Sequence, residues 1–363
     1  MSSCIRFFAR RYLDDFPRLL YNNLNNLSWR KRLMNEYRGK HAPAYPWPVA
    51  SSASVPSRRG RHRKKNHRRR VGFFIIFVLI LAVVIYPFAE TKIVTVDKFE
   101  IKTSSIHLPD NMEFLRVVYV SDIHWGYWYS DWDLSRLISK INDLYPHVLI
   151  FGGDYATDFD SAIRFFEKLR GYKLNARLKI YGVLGETEYI GDDVNISRLK
   201  DAMKNANVIP LVDMADSINL IAGDSTNEND IVRGKICIVG ADDLTGGSPD
   251  LKTLAYSREI SSAEYVIFAA HNPAIIPTAQ KQTDRNNSFD WFELGLFGHT
   301  HGGQVRFFSG MLELAEDVPE QYLEGKLFQN RSWLLISRGI GTSVMPCRLF
   351  CYPQIHCIDI TND

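Results

Sequence analysis

The sequence predicts an α/β fold from about residue 90 onward, preceded by one membrane-length apolar segment and a basic tail. Three observations predict it. Short apolar runs recur between segments of helical spacing, the pattern of buried strands alternating with helices. An 18-residue stretch, Val71–Phe88, carries no charge. Charge is also split sharply: residues 1–70 hold 18 Lys/Arg against 3 Asp/Glu, a net of +15, whereas the other 293 residues hold 26 against 38, a net of −12. The near-neutral total of +3 thus conceals a cationic tail and an acidic body.

Residues 1–40 are basic with scattered apolar positions, among them Phe7, Phe8, Leu13, Phe16 and Leu20. They read either as a short amphipathic helix on a membrane surface or as an exposed tail. Residues 42–57, rich in Pro, Ser and Ala, read as a linker, followed by a basic stretch from Arg58 to Arg70. As a helix, Val71–Phe88 would be about 27 Å long, close to the thickness of bilayer hydrocarbon. It reads as a single membrane anchor rather than a core helix or a cleaved signal, because some 70 residues precede it. With the Lys/Arg excess on its N-terminal flank, the tail is expected in the cytoplasm and residues 90–363 on the far side. The expected domains are therefore 1–70, 71–88 and 90–363.

Strand-like runs follow at Ile93–Ile101, Leu115–Val120, Val148–Phe151, Ile180–Leu184, Ile236–Val239, Tyr265–Ala270, Leu294–Phe297 and Trp333–Ser337. Leu134–Leu144 and Ala162–Leu169 carry helical spacing. The five cysteines (Cys4, Cys237, Cys347, Cys351, Cys357) include no Cys-x-x-Cys pair. They read as buried thiols, with a Cys347–Cys351 disulfide as the alternative in an oxidising compartment.

Polar clusters sit directly after these runs. Asp122 and His124 follow Leu115–Val120, Asp154 follows Val148–Phe151, Glu186 follows Ile180–Leu184, and His271 follows Tyr265–Ala270. His299 and His301, in Gly298-His-Thr-His-Gly-Gly-Gln304, follow Leu294–Phe297. Loops leaving the same end of neighbouring strands converge on one rim, so the pattern gathers carboxylates and imidazoles into one cleft. Asp-x-His and His-x-His each put two side chains on one side of an extended chain. Carboxylates able to bridge, together with imidazoles, describe a two-metal hydrolytic centre.

The ordered set Asp122-x-His124, Gly153-Asp154, Gly185-x-x-Glu188, His271-Asn272-Pro273 and His299-x-His301 resembles the calcineurin-like metallophosphoesterases. Gly240-Ala-Asp-Asp243, His301-Gly-Gly-Gln-Val-Arg306 and Gly341-Thr-Ser-Val-Met-Pro346 with Arg348 resemble its membrane-associated bacterial branch. That branch includes exported phosphodiesterases and the UDP-2,3-diacylglucosamine pyrophosphatase. The resemblance covers about residues 92–360. It implies a four-layer α/β/β/α sandwich of two mixed sheets and two divalent ions. Asp122, His124 and His301 would hold one ion, His271, His299 and Glu186 the other, and Asp154 would bridge both. Asp122, Asp154, His271 and His299 would be the catalytic set, activating a water between the ions for in-line attack on phosphorus. The mixed oxygen and imidazole donors suit Mn, Fe or Zn, and Mg less.

One departure stands out. The family usually reads Gly-Asn-His-Glu or Gly-Asn-His-Asp where this chain has Gly185-Glu-Thr-Glu188. Glu186 would add an anionic ligand in place of a neutral one. Thr187 cannot protonate a leaving group near neutral pH, a loss on the order of 10²–10⁴-fold. The leaving group should then depart without a proton, as a nucleotide phosphate or aryl oxide does; Glu188 is either a substitute acid or a structural carboxylate.

The expected function is a membrane-anchored phosphodiesterase or pyrophosphatase acting on a membrane lipid or nucleotide-linked lipid. The alternative is a catalytically weak metal- or phospholipid-binding domain of the same fold. Nucleic acid is not an expected partner, since the body is acidic. Trp125, Tyr127, Trp128, Tyr129 and Trp132 could grip a lipid, stack on a base, face the membrane interface or simply pack. Trp125, Arg306 and Arg348 are candidate substrate contacts. For the two arginines structural pairing competes with that role, and His107 and His147 read as surface residues.

Overall fold

The computed structural model describes residues 60–363 apart from 127, 223–230, 308–309, 312–314 and 316; side-chain surroundings are described from residue 70. The expectations for residues 1–40 and 42–57, for Cys4 and for Tyr127 lie outside the described residues. Residues 69–363 form one compact unit. Helix α1 (Gly60–Glu90) leads into it, and its stretch Arg70–Glu90 contains an 18-residue window of mean hydropathy 2.9, none of which is buried. By length and composition this helix can cross a bilayer.

The first sheet holds β1 (Thr95–Thr103), β2 (Leu115–Val120), β3 (Val148–Phe151), β4 (Lys179–Gly182), β5 (Ile209–Pro210) and, closing the chain, β14 (Gln354–Asn362). The second holds β6 (Met214–Ala222), β7 (Ile231–Gly240), β8 (Tyr265–Ala269), β9 (Leu294–Phe297), β12 (Gly325–Gln329) and β13 (Ser332–Ile336). A two-stranded ribbon, β10 (Arg306–Phe307) and β11 (Gly310–Met311), lies apart from both.

Strand order is β1-β14-β2-β3-β4-β5 in one sheet and β12-β13-β9-β8-β7-β6 in the other. Both are mixed. β2 to β5 run parallel while β14 pairs antiparallel to β2; β13, β9, β8 and β7 run parallel with an antiparallel strand at each edge.

The layering follows from side-chain alternation along the strands. Leu115, Val117 and Tyr119 of β2 enter one cluster with Ile236, Ile267 and Leu294, so they face the second sheet. Val118 and Val120 point the other way, onto α2 (Asp131–Asn142), α3 (Phe159–Leu169) and α4 (Ile196–Asn205). The outer face of the second sheet packs on α5 (Leu251–Ala255), α6 (Arg258–Ser261) and α7 (Ile276–Ala279). Helix, sheet, sheet, helix is the four-layer α/β/β/α sandwich expected.

Three helices of the first layer start on side-chain caps that fix where each chain segment turns. Ser130 and Asp133 form a reciprocal capping box on α2, Asp158 caps α3 and Asn195 caps α4. The parallel strands of both sheets therefore deliver their C-terminal ends, and the loops beyond them, to one edge of the sandwich, where ligands bind in such folds.

Two expectations change here. The Cys347–Cys351 disulfide is not formed, since both residues are free thiols, and the Cys351 thiol donates to the His301 carbonyl at 3.3 Å. His147 is buried rather than a surface residue, because its Nδ1 accepts the Arg116 backbone N–H at 2.9 Å. His107 is exposed, as expected, beside Glu264.

Candidate metal centre

Each expected ligand sits on a loop leaving a parallel strand. Asp122 and His124 follow β2, Asp154 follows β3, His271 follows β8, and His299 and His301 follow β9. Five of them adopt left-handed backbone: Asp122 (φ 54°), His124 (45°), Asp154 (52°), His299 (69°) and His301 (50°). Asp and His tolerate that region better than most residues, yet it still costs on the order of 1 kcal/mol each. The loops hold one another in place. Asp122 N–H donates to Gly153 O and His124 N–H to Asp154 O, both at 3.0 Å, and His299 N–H donates to the Asp122 carboxylate at 2.9 Å. Gly153 (φ 88°) must be glycine: a Cβ there would lie 2.6 Å from Gly185 N and 2.9 Å from His271 Nδ1.

Two overlapping ligand groups result, Asp122 with His124 and His301, and Asp122 with Asp154 and His271; within each the candidate ligand atoms lie within 4.8 Å of one another. The first matches the expected set. In the second, Asp122 joins where only Asp154 was expected to be shared. Asp154 nonetheless reaches both sides, with Oδ2 3.5 Å from His124 Nε2 and Oδ1 3.5 Å from His271 Nε2. His124 Nε2 and His301 Nε2 face each other at 3.1 Å.

Glu186 and His299 stand outside both tight groups. The His299 ring lies 5.3 Å from that of His271, edge to face, and its Nε2 is 3.7 Å from Asp317 Oδ1. Burial and the Asp154 charge raise the Glu186 carboxyl above its ordinary range, with His299 and His271 opposing them, which puts it electrostatically beside the second group.

The donors fit divalent cations. His271 Nδ1 donates to the Gly152 carbonyl at 2.7 Å, fixing the tautomer and leaving Nε2 aimed into the cluster. His271 Nε2 and Asp122 Oδ2 are buried with no hydrogen-bond partner among the described residues. Buried polar atoms are rarely left so unless something else occupies the site. Burial would raise the Asp154 carboxyl, but the facing His271 outweighs it and holds the group below the usual carboxylate range. His271 is correspondingly raised: burial opposes its charge, and Asp154 and Asp122 override it. His301 is driven the other way, by burial and by His124.

The Gly185–Glu188 loop acts as a clamp. The Thr187 backbone N–H and hydroxyl both donate to Asp154 Oδ1 at 3.0 Å. Glu188 is fully buried and accepts the backbone N–H groups of Gly185, Asp154 and Tyr155 at 2.8, 3.0 and 2.9 Å. Its carboxyl is pushed up to about 8, by burial and then by Asp154. Thr187 is thus more than a missing imidazole, and Glu188 takes the structural alternative.

The candidate substrate contacts have different surroundings. Arg348 is completely buried and donates to the carbonyls of Gly341, Arg338 and Cys351, so it supports the site from behind. Its Nη2 lies 3.5 Å from His301 Nδ1. Arg306 pairs with Glu324 and donates to Gly302 O at 2.9 and 3.0 Å. Trp125 is half-buried, with its indole N–H donated to Asp131 at 3.0 Å. Of the other aromatics, Tyr129 packs in the core whereas Trp128 and Trp132 are exposed. No sequence motif marks Asp317, and Asp243 is noted only within the Gly240–Asp243 motif, with no role given to it. Asp317 lies at His299, and Asp243, buried after β7, acts on the charges of both His271 and Glu186.

The profile of the calcineurin-like phosphoesterase family matches residues 115–303, which contain all seven expected ligands. The chain belongs to that family. Its relatives include the bovine "Transmembrane protein with metallophosphoesterase domain", 30% identical over an alignment of 229 residues that covers 58% of this chain and 48% of that protein. The chain thus spans about half the length of that relative. Metallophosphoesterase YkuE of Bacillus subtilis is 26% identical across 74% of this chain and 86% of its own. Among solved structures, the NAD nucleotidase NadN of Haemophilus influenzae aligns with a TM-score of 0.39 at 12% identity, over 62% of this chain and 45% of that one. This metallophosphoesterase therefore has a cluster of carboxylates and imidazoles able to hold metal.

Proposed function

We propose that this chain is a membrane-anchored two-metal phosphoesterase that hydrolyses a phosphodiester or pyrophosphate bond in a membrane lipid or nucleotide-linked lipid. The observation that carries the reading is the pair of overlapping ligand groups, whose members His271 Nε2 and Asp122 Oδ2 are buried without a hydrogen-bond partner among the described residues. Asp122, His124 and His301 would hold one ion, Asp154 would bridge, and His271, His299 and Glu186 would hold the other. When bound, such a pair supplies an activated water nucleophile and neutralises charge on the phosphoryl oxygens. Mn, Fe or Zn suits these donors, and Mg less.

The chain's own residues narrow the bond that breaks. Thr187 spends its hydroxyl on Asp154, and Glu188 spends its carboxylate on three backbone N–H groups. Thr187 is no acid near neutral pH, and Glu188 is fully buried with both oxygens held by backbone N–H groups, so good leaving groups are favoured. The apolar Arg70–Glu90 helix and relatives named as transmembrane proteins support anchoring. The basic flank favours a cytoplasmic tail, with residues 90–363 on the far side. An acidic body argues against nucleic acid as a partner.

The test is a leaving-group series on the full-length protein in detergent with Mn²⁺: an aryl phosphodiester, a UDP-linked acyl sugar and an alkyl monoester. The first two should turn over and the third barely at all, with chelator abolishing all activity. Equal rates on the alkyl and aryl substrates would refute the account of the Thr187 loop. Metal analysis finding no bound ions on folded protein would refute the function.

A further inference from the structure

We propose that the catalytic body makes a second contact with the lipid bilayer. An apolar collar around the end of α1, built from Trp128, Val344 and Phe350, would seat in the interface and hold the metal cleft at headgroup level. The inference rests on the membrane-anchor reading above and adds to it where the cleft sits.

The first support is the rigidity of the junction. Helix α1 is exposed and apolar as far as Phe88, and two residues later Glu90 is completely buried. Its carboxylate accepts the backbone N–H groups of Phe350 and Cys351. One turn earlier, Pro87 O accepts the Arg348 N–H at 2.9 Å, and the Tyr86 and Tyr352 hydroxyls hydrogen-bond at 2.9 Å. A helix end bonded to the body at four places is a fixed mount, not a tether.

The second is what the mount touches. The segment that grips α1 also backs a metal ligand: Arg348 Nη2 lies 3.5 Å from His301 Nδ1, and the Cys351 thiol donates to His301 O at 3.3 Å. One short stretch of chain therefore separates the helix end from the cleft. A spanning helix leaves its end at the membrane surface, and anything fixed that closely to it lies at the surface too.

The third is what the body exposes there. Trp128 is 51% exposed, Val344 78% and Phe350 57%. Trp128 lines a groove of about 150 Å³ with Phe88, Thr342 and Pro346, and the Phe350 ring lies 6.2 Å from that of Tyr86. Trp128 and Phe350 are thus continuous with the anchor, and Val344 lies in the chain between Thr342 and Pro346 of that groove. Beside it, the Arg136 guanidinium sits 4.6 Å from the exposed Trp132 ring, and Lys92 donates to Trp128 O at 3.0 Å. Aromatic rings with adjacent cations are the composition of a membrane interface. A cleft mounted there would take the phosphate of a bilayer lipid without extracting the lipid from the membrane.

The test uses the full chain in phosphatidylcholine–phosphatidylglycerol vesicles, with and without lipid brominated along its acyl chains. The emission lost in Trp128→Phe, the Trp128 contribution, should be quenched by the brominated lipid. Val344→Asp should lower hydrolysis of a vesicle-embedded lipid phosphate by about tenfold and leave hydrolysis of a soluble aryl phosphodiester unchanged. Trp128 emission that ignores brominated lipid but is quenched by aqueous acrylamide would overturn the collar, as would an unchanged ratio of lipid to soluble turnover in Val344→Asp. Should the protein hydrolyse neither substrate, the proposed function fails while the quenching still decides the collar.

Discussion

Replacing Thr187 with Val isolates the bond that distinguishes this loop. Valine keeps the shape and the β-branched backbone preference and deletes only the hydroxyl. That hydroxyl is buried, donates to Asp154 Oδ1 at 3.0 Å and lies 3.2 Å from Glu188 Oε1; its single proton serves one carboxylate at a time. A hydrogen bond to a charged acceptor contributes about 1.5–3 kcal/mol. The Thr187 backbone N–H stays on the same oxygen at 3.0 Å, so the loss belongs at the low end of that range. A loss of about 1.5 kcal/mol is close to tenfold in an equilibrium constant, in line with the usual cost of removing a residue that orients a metal ligand. Metal affinity measured by chelator competition on the full-length protein should therefore weaken about tenfold, with Thr187→Ser near the starting value. Melting in excess chelator separates this effect from a general loss of fold. Affinity within twofold of the unmodified protein would refute the role given to Thr187.

Two further outcomes are expected. Arg348→Met should strip donors from the Gly341, Arg338 and Cys351 carbonyls and cost about 3 kcal/mol, visible as a melting temperature lower by roughly 5–10 °C; an unchanged melting temperature would contradict the buried-support role. Burial pushes the largely buried Glu293 carboxyl up to about 7 although it accepts the Val266 N–H at 2.7 Å. Its contribution to stability is therefore full below its unfolded value of about 4.5 and lost as pH rises through about 7. Glu293→Gln keeps an acceptor for Val266, so denaturant unfolding should show a flatter loss of stability across that window. A pH profile identical to the unmodified protein would exclude Glu293 as its source.

Legibility of the sequence followed burial. The runs Leu115–Val120, Val148–Phe151 and Leu294–Phe297 coincide with β2, β3 and β9 because strands covered on both faces read as unbroken apolar stretches. β14 escaped for the opposite reason. It lies between β1 and β2 in the first sheet, yet reads Gln-Ile-His-Cys-Ile-Asp-Ile-Thr-Asn. Two of its polar members pair with distant partners: Asp359 with Arg116 at 2.7 Å and His356 Nδ1 with Asp97 at 3.2 Å. No local pattern announces such pairs. The same divide runs through the site. Ligands placed directly after apolar runs were visible as motifs, whereas Asp317 reaches His299 from a loop with no motif. For Arg348, which the sequence leaves between phosphate contact and structural pairing, burial among backbone carbonyls favours the structural role.

The strained ligands and the clamp loop belong to one construction. Each left-handed residue is held by its neighbours rather than by its own strand. Asp122 is tied to Gly153 O by its N–H, to His299 N–H by its side chain and to the Gly341 N–H by its carbonyl, the last at 2.7 Å. Asp154 is tied to His124 N–H by its carbonyl and to Thr187 by its side chain. Gly339 (φ 66°) passes so close that a Cβ there would lie 2.7 Å from Asp122 Cβ. The loops from both sheets thus define each other's shape, and any one of them released would let the others relax. Strain of this kind persists only where the surroundings over-determine it. Here the over-determination comes from the convergence of strand ends across two sheets, which is also what brings carboxylates and imidazoles within reach of a shared cation. Thr187 fits that scheme: where the family usually places a proton donor, this chain places one more tie on the carboxylate that spans both ligand groups.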